Sequence, residues 1–115
     1  MHPDARALLW DAQQAGRLIL VFLNQVELDR YLHDALISSA VERQLTIIGE
    51  SLNRLAKVDP TTAGGITDLS RIVGFRNILV HGYTSIDNAL VWQLATTKVP
   101  VLLIEIADLL SDNEP

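Results

Sequence analysis

Arg76 is the side chain in this sequence that packing explains least well, and His81 lies near it at the end of the same predicted helix. Around them Leu69, Ile72, Val73, Leu79 and Val80 mark out an apolar arc, and at about 100° per residue Arg76 falls inside that arc. A buried guanidinium is costly unless it is paired or hydrogen-bonded. Arg76 therefore has two readings. It pairs with a carboxylate such as Glu50 and serves structure, or it lines a cleft and holds an anion, since its planar fork suits phosphate. His81 follows by five residues, about 140° around an ideal helix, so the two do not share a face. Asn77 and His81, four apart, do. Arg76 and His81 meet only if the helix ends there or if two subunits build one site. A histidine at a helix C-terminus suits the dipole as a cation. It is also the side chain best able to exchange protons near neutral pH. Tyr83, just past Gly82, reads most simply as a hydrophobic cap with a wet hydroxyl.

Other chemistries find less support. His2 and His33 lack ligand-spaced companions, so no metal site is expected. The chain has no cysteine, which excludes disulfides, thiolate zinc sites and thiol nucleophiles. Gly64 and Gly65 read as a linker rather than a phosphate loop, and no spacing favours a Ser-His-Asp triad. Trp10 and Trp92 sit in helical patterns and read as core or interface.

The elements that must position these residues are helical. Over 4–24, Leu8, Ala12, Ala15, Ile19 and Phe22 recur at steps of three and four, with Asp4 placed to cap the start and Asn24 to mark the stop. A short polar stretch over 27–33 can be helical. The clearest helix spans about 34–58. Val41, Leu45, Ile48, Leu52 and Leu55 form one stripe, and Arg43, Glu50, Arg54 and Lys57 form another on the opposite face. Pro60 and the residues through Gly65 predict a loop. The third long helix starts near Thr67 or Asp68, either of which can cap it, and runs to about His81. Gly82 is placed as a left-handed stop. The last helix starts near 85–87. Val91, Ala95, Leu102, Ile106 and Leu109 keep one phase through Pro100, which predicts a kinked helix or two nearly collinear ones. Residues 111–115 are expected to fray. The reading is an all-α, up-and-down bundle of four main helices plus one or two short ones, in a single domain over 1–115.

Composition bounds the function. The chain has 115 residues, enough to bury a core without disulfides or metal. Apolar residues make up 49% and mean hydropathy is +0.23, which hints at apolar surface covered by a partner subunit. No apolar run approaches the roughly 18 residues of a membrane span. No basic-then-apolar leader is visible, so a cytoplasmic, membrane-free chain is expected. The formal net charge of −5 counts against unassisted nucleic-acid binding. RNA could then be engaged only through a locally basic cleft, or through another protein.

The run Arg76-Asn77-Ile78-Leu79-Val80-His81-Gly82-Tyr83 resembles the arginine, four residues, histidine, one residue, tyrosine motif of HepT-like proteins in the HEPN superfamily. The resemblance extends to Ala40-Val41-Glu42-Arg43-Gln44-Leu45-Thr46-Ile47-Ile48-Gly49-Glu50, which is similar to the family's second-helix segment. It extends also to Ile86-Asp87, Val91-Trp92 and Val99-Pro100, which are similar to its C-terminal pattern. Ser51 stands where the family often has alanine. The resemblance implies a dimerising helical bundle with the motif at a cleft between subunits, and a metal-independent endoribonuclease toxin that needs no cofactor. It implies Arg76 and His81 as catalytic residues and Asn77 as their polar neighbour. Arg43 is a candidate RNA contact on the charged stripe. It further implies an MntA-type nucleotidyltransferase antitoxin, with Tyr83 at the position that is adenylylated in family members. The competing reading is a catalytically inactive helical partner of such a nucleotidyltransferase, which the net charge favours and the intact motif disfavours.

Overall fold

Asp34 and Asp59 bracket the helix on which the rest of the chain is assembled. A computed structural model describes residues 1–82 and 86–112. In chain order the helices are α1 (Ala5–Phe22), α2 (Leu28–His33), α3 (Ala35–Val58), α4 (Pro60–Ala63), α5 (Leu69–His81) and α6 (Asn88–Asp112). No strand occurs among the described residues. The fold is the expected all-α bundle of four long helices and two short ones. Asp34 Oδ1 accepts from the Ile37 amide (3.1 Å) and caps α3. Asp59 closes α3, its amide donating to Leu55 O (2.8 Å), and its carboxylate caps α4 through the Thr62 amide and hydroxyl. With Pro60 in the first turn, the expected loop is thereby wound into a helical turn.

The stripe Val41, Leu45, Ile48, Leu52 and Leu55 is buried as its spacing requires. Each such side chain contributes about 1.5–3 kcal/mol of burial. α1 covers one flank of α3 with Leu9, Ala12, Ala15 and Ile19. α5 covers another, and α6 closes the bundle against α1, α2 and α3. α6 runs antiparallel to α1, since Arg6 Nη1 meets Leu110 O (3.4 Å) while Gly16 lies against Leu103 and Val99. Tyr31 is the buried anchor of α2, and burial together with the Glu42 carboxylate pushes its phenol well above the usual range.

By length and apolarity α6 could cross a membrane. Its Val91, Ala95, Val99, Leu102 and Ile106 are buried in the bundle, while Leu90, Val101 and Ile104 on the other side are exposed. Pro100 lies within one continuous helix rather than between two. Just before it, the Thr96 and Thr97 hydroxyls donate to carbonyls of the preceding turn.

Several helix ends differ from expectation. The Asp4 side chain makes no cap bond to α1; its amide instead donates to His2 Nδ1. α1 ends at Phe22 with Leu23 as its C-cap, just before Asn24, and Gln25 follows in a left-handed conformation. Asp68 does precede α5, but in a left-handed conformation (φ 59°) and without capping. Its carboxylate binds Lys98 Nζ (3.2 Å) instead, and Thr67 binds Glu105, so both residues tie the start of α5 to α6. Gly82 is not left-handed (φ −98°). A β-carbon there would come within 2.7 Å of Ile78 O, so glycine is needed for space rather than for handedness. Of the two tryptophans read as core or interface, Trp10 is exposed on the single chain, while Trp92 is partly buried and donates to Val26 O. Asp87 Oδ1 accepts from the Leu90 amide at the start of α6, close to where the last helix was expected to begin.

Asp59 also accepts from the His2 amide (2.8 Å). The His2 amide first, then the Thr62 hydroxyl and amide, lower its pKa from 3.8 to about 2. A depressed folded-state pKa contributes stability that is complete above the unfolded value and lost as pH falls through the folded one. Asp59→Ala should therefore melt a few degrees below wild type at pH 7. The gap should close as pH drops through about 2, read by circular dichroism melts across that range.

Candidate active site

The close approach of α5 to α3 is set by a residue with no side chain. Gly49 is the only glycine within α3, and it faces Arg76. A β-carbon at Gly49 would overlap Cβ of Arg76 and lie 2.7 Å from its Cγ. Both atoms are next to the α5 backbone, so no rotamer change of Arg76 relieves the clash. Glycine in a helix interior costs roughly 1 kcal/mol relative to alanine. Here that cost is offset by letting α5 seat Arg76 directly on α3.

Arg76 then lies along the seam with its guanidinium at the edge. Nη1 donates to Asn77 Oδ1 (2.9 Å) and Nη2 to Glu50 Oε1 (3.3 Å). Nε is buried and has no partner. The side chains are 26% and 48% exposed for Arg76 and Glu50, and a pair this wet is worth about 0–1 kcal/mol. Its effect is on orientation more than on stability. A guanidinium has five N–H donors. With one bond from each Nη, each terminal nitrogen keeps a further N–H for an anion. Thus Arg76 pairs with Glu50, as the structural reading had it, and still has donors to offer, as the functional reading needs.

The structure brings Arg76, Asn77 and Glu50 into contact, and among the described residues His81 makes no hydrogen bond or ion pair with them. His81 ends α5 on the exposed side, and among the described residues no hydrogen bond or ion pair holds it. Asn77, Ile78 and Gly74 share that outward side, and a β-carbon on Gly74 would meet nothing within 4 Å. Only Ile72, Phe75 and Leu79 of the 13 residues of α5 are buried, so much of this helix is uncovered in the single chain. Tyr83 lies outside the described residues. A surface depression of about 600 Å³ is at the α3–α4–α5 corner, lined by Ala56, Ile66, Leu69 and Arg71, and neither Arg76 nor His81 is among its lining residues. Among the described residues no three His, Asp or Glu side chains cluster to hold a metal ion.

Charge is distributed unevenly around the seam. Arg43, Arg54 and Lys57 are exposed on the outer stripe of α3. With Arg76 they make four of the chain's nine basic residues, against Glu50 alone as the acid of that stripe. An overall charge of −5 therefore coexists with a locally basic edge.

The model of the ribonuclease HepT-like family matches residues 12–109, which include all of these groups. This chain belongs to the HepT-like ribonuclease family. Among curated proteins of Methanocaldococcus jannaschii, "Putative RNase MJ1380" is 30% identical over 103 residues, covering 90% of this chain and 94% of that protein. "Putative RNase MJ0127" is 30% identical over 111 residues, covering 96% and 91%. "Putative RNase MJ1216" is 27% identical over the same length, with 96% and 91% covered. No solved structure matches the chain.

Sequence reasoning had named Arg76, His81, Asn77, Arg43, Tyr83 and, as a partner for Arg76, Glu50. It missed Gly49. The available signal was a lone glycine in the middle of a strongly periodic helix, a position that costs stability unless something must come close. Gly49→Ala should push α5 off α3 and destabilise the fold by about 1–3 kcal/mol, the range for overpacking. The check is a denaturant melt, in which wild-type stability for Gly49→Ala would contradict the close approach.

Proposed function

We propose that the chain is a metal-independent endoribonuclease toxin of a toxin–antitoxin pair, with Arg76 and His81 as its catalytic residues. The observation that carries this reading is Arg76, which is seated on Gly49, bound on both terminal nitrogens and open to an anion at a basic edge. Family membership supplies the reaction class. In the reaction the ribose 2′-oxygen attacks the neighbouring phosphorus and the bond to the 5′-oxygen breaks. The products are a 2′,3′-cyclic phosphate and a 5′-hydroxyl. His81 carries the proton lost by the 2′-hydroxyl or gained by the leaving oxygen. Arg76 stabilises the charge growing on the phosphate oxygens. Asn77 holds the guanidinium, and Arg43 contacts the RNA backbone farther along α3.

The functional unit is a homodimer. Within one chain Arg76 turns to α3 while His81 faces outward, and the uncovered side of α5 with Gly74, Asn77, Ile78 and His81 is where a second copy would complete the site. In the cytoplasm an MntA-type nucleotidyltransferase neutralises the toxin by adenylylating Tyr83. That adduct would place a tethered phosphate two residues from His81, where it competes with RNA for Arg76.

The purified chain should cut RNA in the presence of EDTA and leave cyclic phosphate ends, detected by mass spectrometry of the fragments. Arg76→Ala and His81→Ala should each lower the rate by about a hundredfold or more. A folded His81→Ala protein with full activity would falsify the assignment. An inactive wild type that binds the nucleotidyltransferase would favour the non-catalytic reading, to which the net charge of −5 lends weight.

For control of the toxin, co-expression with the neighbouring nucleotidyltransferase should add adenylate mass that disappears in Tyr83→Phe. A silenced yet unmodified chain would show inhibition by binding alone.

A further inference from the structure

Glu50 is the one acid of a basic stripe, and its carboxylate contacts the residue proposed to bind phosphate. A carboxylate there repels RNA, so its presence asks for a reason. Stability is a poor one, because the pair is half-exposed and worth little. Geometry is a better one. Gly49 fixes where the Arg76 side chain leaves α5, yet a long side chain beyond Cγ still has several rotatable bonds. Two acceptors stop that rotation, Asn77 Oδ1 on Nη1 and Glu50 Oε1 on Nη2. They come from different helices, α5 and α3, so together they define the plane of the guanidinium relative to the seam. Asn77 adjoins Arg76 on the same helix and would follow it if α5 shifted, whereas Glu50 refers the guanidinium to the core helix. The buried, unpartnered Nε shows that the inner part of the fork is wedged rather than hydrogen-bonded, which leaves the outer acceptors to set its direction.

We propose that Glu50 is the positioning residue of the site: its carboxylate oxygen, reaching from α3, aims Arg76 at the phosphate without itself touching the RNA or carrying a proton. The inference rests on the ribonuclease reading for its catalytic consequence, but the aiming of Arg76 stands apart from it. What matters is an acceptor atom at the right reach. Charge at that place is secondary and opposes RNA binding. The side-chain series at position 50 therefore separates reach from charge. Glutamine keeps the reach and loses the charge. Aspartate keeps the charge and loses a methylene of reach. Alanine loses both.

The test measures kcat and KM for RNA cleavage by Glu50→Gln, Glu50→Asp and Glu50→Ala, alongside the Arg76 Nε–H signal in nitrogen–proton NMR spectra, assigned by its loss in Arg76→Lys. Glu50→Gln should keep kcat within about threefold of wild type, because its amide oxygen still accepts a charge-assisted bond from the guanidinium. Its KM should be no higher, since a negative charge has left the RNA path. Glu50→Asp and Glu50→Ala should lose about tenfold to a hundredfold in kcat with little change in KM, the cost of a misaligned group. The Arg76 Nε–H signal should persist in wild type and Glu50→Gln and broaden in the other two. A Glu50→Gln protein as slow as Glu50→Ala would show the carboxylate itself taking part in the chemistry, and would overturn the proposal. So would unchanged kcat in Glu50→Ala, or an Arg76 signal indifferent to all three changes. If wild type does not cleave RNA, the ribonuclease reading fails, and the NMR series still decides whether Glu50 aims Arg76.

Discussion

The contact between Gly49 of α3 and Arg76 of α5 is the constraint from which the site follows. Core helices normally meet through interleaved apolar side chains. Here one helix offers bare backbone and the other lays a guanidinium stem across it. The aliphatic part of Arg76 thus serves as packing, while its charged end emerges at the edge of the seam. Three consequences are coupled. α5 sits close enough to bury Ile72, Phe75 and Leu79 on the core. Arg76 comes within reach of Glu50. The following turn of α5 carries Asn77 and His81 to the exposed side. Widening the seam would alter all three at once.

The rest of the bundle keeps that seam in place. α3 is held straight on by its apolar stripe and is capped by Asp34 and Asp59. The start of α5 is fixed to α6 by Asp68 with Lys98 and by Thr67 with Glu105, polar ties that stand in for extensive apolar contact between those two helices. The other end of α5 has no comparable tie among the described residues. The stable part of the fold therefore holds Arg76, while His81 sits at a less covered helix terminus. For the proposed roles, Arg76 in the interior of α5 has the fixed direction that phosphate binding needs, and His81 at the last residue of the helix has the access that proton transfer needs.

Much of this was legible in the sequence because helical periodicity is a strong signal. The stripe from Val41 to Leu55 specified α3 and its buried face, and the opposite stripe of Arg43, Glu50, Arg54 and Lys57 is exposed as its phase required. The placement of Arg76 inside an apolar arc correctly marked it as a residue needing a partner, and Glu50 is that partner. The errors fell where local rules compete with tertiary contacts. Asp68 forgoes its cap because Lys98 is within reach. Gly82 is chosen for clearance beneath the Ile78 carbonyl and not for a left-handed turn. Gly49 was passed over because its reason lies on a helix 27 residues later in the chain, at Arg76, and periodicity within one helix carries no information about that. Trp10, read as core or interface, lies outside the core of the single chain, exposed on α1.

In the proposed dimeric site Arg76 of one copy and His81 of another act on the same phosphate, since five residues of an ideal helix turn about 140°. Mixing subunits tests this directly. Arg76→Ala and His81→Ala proteins, each inactive alone, are unfolded together, refolded and assayed on RNA. Recovery of roughly a quarter of wild-type activity is expected, since half of the two-fold dimers are mixed and each mixed dimer holds one intact combination of two. Mixed dimers that form but stay as inactive as the separate variants would contradict it.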